Sequence, residues 1–137
     1  MSGLKIRGLD HVVLRTEQCS QVLHFYRDVL GCPIERTIEA IGLYQLRAGA
    51  SLIDVIDAKV WTTAPAGPGE SLYDHFCIAI EAERPEDVVA LLDGAGIPHS
   101  DPAERYGATG TGMSVYATDP DGRTVELKLT GAGAPSV

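Results

Sequence analysis

Long apolar runs are missing from this chain. Nothing in its 137 residues approaches the ~20 consecutive apolar positions that a membrane helix needs. Clustered positive charge is missing too. Eleven Lys and Arg stand against 19 Asp and Glu, for a formal net charge of −8, and no five basic residues sit together. Counterion-release binding to nucleic acid needs such clusters, so no nucleic-acid partner is expected, and the acidity favours solubility. Cysteine is sparse and odd in number. Cys19, Cys32 and Cys77 lack CxxC spacing, which argues against a disulfide framework or a zinc finger. They are expected to be reduced thiols, with Cys77 in the core. The opening MSGLKIRGLD has neither signal-peptide nor transit-peptide character, so the expected location is the cytoplasm.

What is present suits a packed domain. The hydrophobic fraction is 45%, enough for a core in one domain or in two small modules that share one. HVVLRT (11–16) reads as a short strand. Ser20 is a candidate N-cap for the helix QVLHFYRDVLG, whose apolar residues recur at three- and four-residue steps; Gly31 and Pro33 close it. CPIERTI, IGLYQLRA and SLIDVID read as three strands with Gly42 and Gly49 at the turns. Residues 58–72, with Pro65, Gly67, Pro68 and Gly69, read as a linker or mobile loop. The pattern then restarts: strand HFCIAIE, the helix PEDVVALLDGAG with an acidic first turn, and the strands IPHSDPAERY, GMSVYATD and RTVELKL. A DPDG turn (119–122) precedes the last.

The chain therefore reads βαβββ, linker, βαβββ, an internal repeat with a period of roughly 60 residues. The expected fold is α+β. It pairs module 1 (about 6–57) with module 2 (about 73–130) in a curved mixed sheet with helices outside; 131–137 is a flexible tail. Each module alone is too small to bury a good core.

Polar residues break the strand pattern at matched places. LDHVVL and YDHFCIAI both put Asp-His before an apolar strand, so His11 and His75 open the first strand of each module. Glu126 sits inside RTVELKL, and aligning IDV with VEL makes Asp54 its counterpart. Side chains alternate between faces along a strand, so Thr124, Glu126 and Lys128 oppose Val125, Leu127 and Leu129. If the sheet curls, His11, Asp54, His75 and Glu126 converge in its concavity. Two imidazoles with one or two carboxylates suit a divalent ion and leave coordination positions open for water or substrate.

LDHVVLRT, FYRDVLG, YDHFCIAI and above all DPDGRTVELK resemble the vicinal oxygen chelate superfamily over nearly the whole chain. That family includes glyoxalase I, methylmalonyl-CoA epimerase, fosfomycin-resistance thiol transferases, extradiol dioxygenases and bleomycin-binding proteins. ERYGATGTGMSVYATDPDG further resembles a subgroup of glyoxalase-domain proteins. The resemblance implies a U-shaped, metal-lined cleft. It carries His11, His75 and Glu126 onto the ligand positions for one divalent ion (Fe, Mn, Ni, Co or Zn). Glyoxalase I-like members have a fourth-ligand Glu where this chain has Asp54, one methylene shorter. Asp54 is thus a possible fourth ligand or the general base, with Glu126 the other catalytic candidate.

The activity implied is bidentate chelation of a small oxygenated substrate, with lyase or isomerase chemistry of the glyoxalase type favoured. An Fe(II) dioxygenase, a thiol transferase and a non-catalytic ligand-binding protein are the alternatives. Arg47, Trp61, Arg105, Tyr106 and Tyr116 are candidate substrate contacts, with Tyr44 a further one. Asp10 and Asp74 are expected to orient the strand starts, and the Gly-rich stretch 107–112 to form a mobile loop at the cleft mouth. The chain is expected to form a homodimer.

Overall fold

Alternation in HVVLRT becomes β1 (His11–Thr16), which buries Leu14 and Thr16 and turns His11, Val13 and Arg15 the other way. The computed structural model describes residues 9–62 and 75–131. The expected linker is thus described only as far as residue 62, and the tail only at Gly131.

Helix α1 (Cys19–Leu23) starts after Gln18, not Ser20, and no side chain caps it. The predicted Ser20 cap is displaced because the Thr16 hydroxyl, accepting from Gln18 N at 2.9 Å, turns the chain into the helix earlier. The helix then widens into a π-helical segment, His24–Val29. Leu30 N bonds to Phe25 O at 2.9 Å, one residue further back than in an α-helix. The adjacent rings of Phe25 and Tyr26 both lie in the core, 1% and 0% exposed. Gly31, at φ +91°, ends the element as its position suggested.

β2 (Ile34–Ile38), β3 (Leu43–Ala48) and β4 (Ser51–Asp57) follow, with a short 3-10 turn (Glu39–Ile41) before β3. The sheet order is β1-β4-β3-β2, with β1 parallel to β4. Gly42 holds φ +64°, and a Cβ there would lie 2.9 Å from the Val60 side chain, so this turn admits only glycine.

The second half repeats the plan. β5 (His75–Glu81), α2 (Pro85–Gly94), β6 (Ala103–Gly107), β7 (Gly110–Thr118) and β8 (Thr124–Thr130) make a sheet ordered β5-β8-β7-β6, with β5 parallel to β8. Two expectations change. The strand read at 97–106 begins only at Ala103; before it a single His99–Ala117 bridge forms, because Pro98 and Pro102 have no N–H to donate. The stretch 107–112 is a hairpin, not an open loop. Gly107 pairs with Gly110, leaving Ala108 and Thr109 at the turn, and Gly110 takes φ +89°. DPDG is the expected reversal: Asp119 Oδ1 accepts from Asp121 N at 2.9 Å and Arg123 N at 2.8 Å.

One core joins the halves. Leu14, Val22, Phe25, Tyr26, Leu46 and Val55 cluster with Leu92, Val115, Val125 and Leu127. Cys77, expected inside, is exposed: β5 is an edge strand, and Cys77 points with His75 away from Phe76, Ile78 and Ile80. No helix among the described residues is long and apolar enough to cross a membrane.

Candidate functional site

Register places the four polar candidates. His11 lies beside Leu52 and His75 beside Thr124, so each histidine sits two residues short of the carboxylate on the neighbouring parallel strand, Asp54 or Glu126. The modules thus present equivalent half-sites, each with a histidine and an acid on the face opposite the helices.

The second-module half-site is closed. His75 Nε2 lies 3.0 Å from Glu126 Oε1, and the Ser114 hydroxyl donates to Oε2 at 2.7 Å. Glu126 is 7% exposed and Ser114 fully buried, so the carboxylate is fixed from both sides. The Tyr116 ring meets His75 edge-on at a centroid distance of 5.5 Å, and its hydroxyl accepts from Arg105 Nε at 3.0 Å. Ser114 was not singled out in the sequence; only the β7–β8 pairing puts it on this face.

The first-module half-site is looser. Asp10 Oδ1 lies 2.7 Å from His11 Nδ1. This bond, with a smaller contribution from the nearby Asp54 charge, raises the His11 pKa above its ordinary 6.5. Asp10 thereby orients the His11 ring; Asp74 lies outside the described residues. Both Asp54 oxygens face the amide of Gln45, at 3.2 and 3.3 Å from Nε2. Among the described residues, which include all four candidates, no three His, Cys, Asp or Glu side chains gather closely enough to hold an ion.

The other candidates divide. Arg47 shares a face with Asp54, but its guanidinium is held by Glu35 at 2.7 and 2.9 Å. Tyr44 pairs with Val55 and packs against the core, one residue out of phase with the site. Trp61 follows the C-terminal end of β4, and its carbonyl accepts from Arg15 Nη2 at 3.3 Å. Asp57, five positions after Leu52, which pairs with His11, lies ~16 Å along the sheet from it, and Trp61 sits in the turn bonded to Asp57 at that far end.

A cavity of about 430 Å³ adjoins Glu126. Its walls include Leu9, Ser51, Cys77, Ala79, Tyr106, the 107–109 hairpin and Lys128. Tyr106 is 85% exposed and stands at its rim. The Cys77 thiol is pushed up to about 11, first by desolvation and then by the Glu126 charge, so it is not a ready nucleophile.

A sequence model described as the Glyoxalase/Bleomycin resistance protein/Dioxygenase superfamily matches residues 8–127. The virulence protein STM3117 of Salmonella typhimurium is 33% identical over 130 residues, covering 89% of this chain and 83% of that protein. Its crystal structure superposes with a TM-score of 0.72, over 92% of this chain and 98% of that one, at 30% identity. Lactoylglutathione lyase from Agrobacterium tumefaciens (TM-score 0.65, 19% identity, 89% and 92% of the two chains) has the same fold. So does the fosfomycin resistance protein FosX from Listeria monocytogenes (0.69, 16%, 93% and 97%).

Proposed function

Because the chain belongs to the Glyoxalase/Bleomycin resistance protein/Dioxygenase superfamily, we propose that it is a divalent-metal-dependent enzyme acting on a small oxygenated molecule, with lyase or isomerase chemistry of the glyoxalase type. The observation that carries this reading is the His75–Glu126 pair at 3.0 Å, repeated in register by His11 and Asp54.

The donor chemistry fits such an ion. His75 Nε2 and Glu126 Oε1 are two donors, and Ser114 orients the carboxylate behind them. His11 is the third: Asp10 occupies Nδ1, which leaves Nε2 as the ligating nitrogen. Since no three donors gather among the described residues of one chain, the reading includes a homodimer in which each copy presents its His11–Asp54 half-site to its partner's His75–Glu126 half-site. A bound ion supplies Lewis-acid stabilisation of negative charge developing on substrate oxygens. Asp54, 6% exposed and steadied by Gln45, takes the substrate proton. Tyr116, braced by Arg105, borders the place where the substrate sits.

Metal analysis of anaerobically purified protein tests this. Stoichiometric Fe, Mn, Ni, Co or Zn is expected. His75→Ala and Glu126→Gln should lose it by at least roughly tenfold in affinity. Asp54→Asn should keep the metal while turnover falls by about 10²-fold or more. Metal-free protein whose ligand affinity survives His75→Ala would instead support a non-catalytic binding protein.

A further inference from the structure

Lys128 lies two residues after Glu126 on β8, on the same face, and is 4% exposed. Its ammonium donates to one neutral acceptor, Thr109 Oγ1, at 2.7 Å. Among the described residues no carboxylate lies within ion-pair distance of it. Glu126, the acid next along its face, is already engaged by His75 and Ser114. A buried cation without a counter-charge is costly. The fold nevertheless makes room for it. A Cβ on Gly107 would come within 3.5 Å of the Lys128 stem, and one on Gly112 would meet Leu129 O at 2.9 Å and Lys128 Nζ at 3.5 Å. Gly107 therefore packs beside the Lys128 stem, Gly112 lets β7 approach the Leu129 carbonyl, and Lys128 lines the cavity it shares with Glu126.

We propose that Lys128 binds an anionic arm of the substrate, a carboxylate or phosphonate, on a molecule whose other end reaches Glu126. This rests on the cleft being the substrate site and adds the substrate's charge. Two strand residues span ~7 Å, so one small molecule can present its anionic arm to Lys128 and its other end to Glu126. A cavity of about 430 Å³ suits a small organic acid. The protein's net charge of −8 repels anions at large, so an anionic substrate needs a dedicated cation inside the site.

The test uses butyrate, propylphosphonate and the neutral isostere butyramide, followed by NMR titration and thermal shift. Saturable binding of butyrate or propylphosphonate, with none by butyramide, is expected, and the stronger of the two acids identifies the arm. Lys128→Met should weaken that binding at least roughly tenfold while raising Tm in the absence of ligand, because an uncompensated buried charge is gone. Prior treatment of the protein with a metal chelator should leave it unchanged, so a failure of the metal reading leaves this result standing. Equal binding of butyramide and butyrate, or undiminished affinity in Lys128→Met, would overturn the proposal. If Lys128→Met does not fold, the contrast between charged and neutral probes on the wild-type protein settles the matter.

Discussion

Both ring nitrogens of His99 face acceptors: Nδ1 lies 2.8 Å from the Ser100 carbonyl and Nε2 lies 2.6 Å from Asp93 Oδ1. Only the doubly protonated ring satisfies both, so the pKa is raised above 6.5, first by the carbonyl and then by Asp93. A raised folded-state pKa contributes stability that is complete below the unfolded value and is lost as pH climbs through the folded one. Asp93→Asn should therefore lower the His99 midpoint in an NMR titration. The Tm gap between wild type and variant should be widest near pH 6 and should narrow towards pH 9; a gap that widens with pH would refute this. At this scale His11, His75, Asp54 and Glu126 were legible because strands rarely tolerate such residues without cause. Ser114, Gln45 and Lys128 were not, because a serine, a glutamine or a lysine in a strand is ordinary until its neighbour across the sheet is known.

Helix α1, its π-helical continuation and the β7–β8 turn are fastened together at Asp119. Its carboxylate, with no side-chain exposure, accepts from Tyr26 Oη at 2.8 Å and from Arg123 Nη1 at 2.9 Å, besides two backbone amides of its own turn. Gln18 adds a second tie, donating to Asp121 Oδ1 at 2.6 Å. Tyr26→Phe leaves Asp119 three other donors and should cost about 1.5 kcal/mol. Asp119→Ala removes the acceptor of Tyr26 and of two turn amides and leaves the half-buried Arg123 guanidinium with Asp121 and the Arg15 carbonyl, and should cost about 2–3 kcal/mol. The double variant should cost less than the sum, since both remove the same bond. Urea unfolding measures all three; strict additivity would mean that the bond does not couple the modules. The periodicity of QVLHFYRDVLG announced a helix but not its π-helical widening, because spacings of three and four residues fit both forms. DPDG announced its turn because the Asp119 side chain itself builds it.

At the scale of the molecule, two sheets share one core, and each exposes one half of the candidate site. If the cleft is shared between copies, His11→Ala and Glu126→Gln chains refolded together should form hybrids with one intact cleft, giving about a quarter of the wild-type metal content. The two variants refolded separately should bind almost none. A mixture no better than its parts would place the whole site within one chain. The βαβββ repeat, the eight strands, the second helix and the matched Asp-His openings were readable because they depend on local rules: period-two alternation, Gly and Pro punctuation and an acidic helix start. Local rules also assign Glu126 and Lys128 to one face. They do not say which residues pair across a sheet, and that pairing brings Ser114 to Glu126, sets Tyr116 rather than Tyr44 beside the site and takes Arg47 to Glu35. They say nothing either of the Gly107–Gly110 hairpin that seats Lys128. By itself, the sequence determined the elements and the faces of their side chains, since both follow from neighbours in the chain. Register and packing, which join residues far apart in it, were decided only by the tertiary structure.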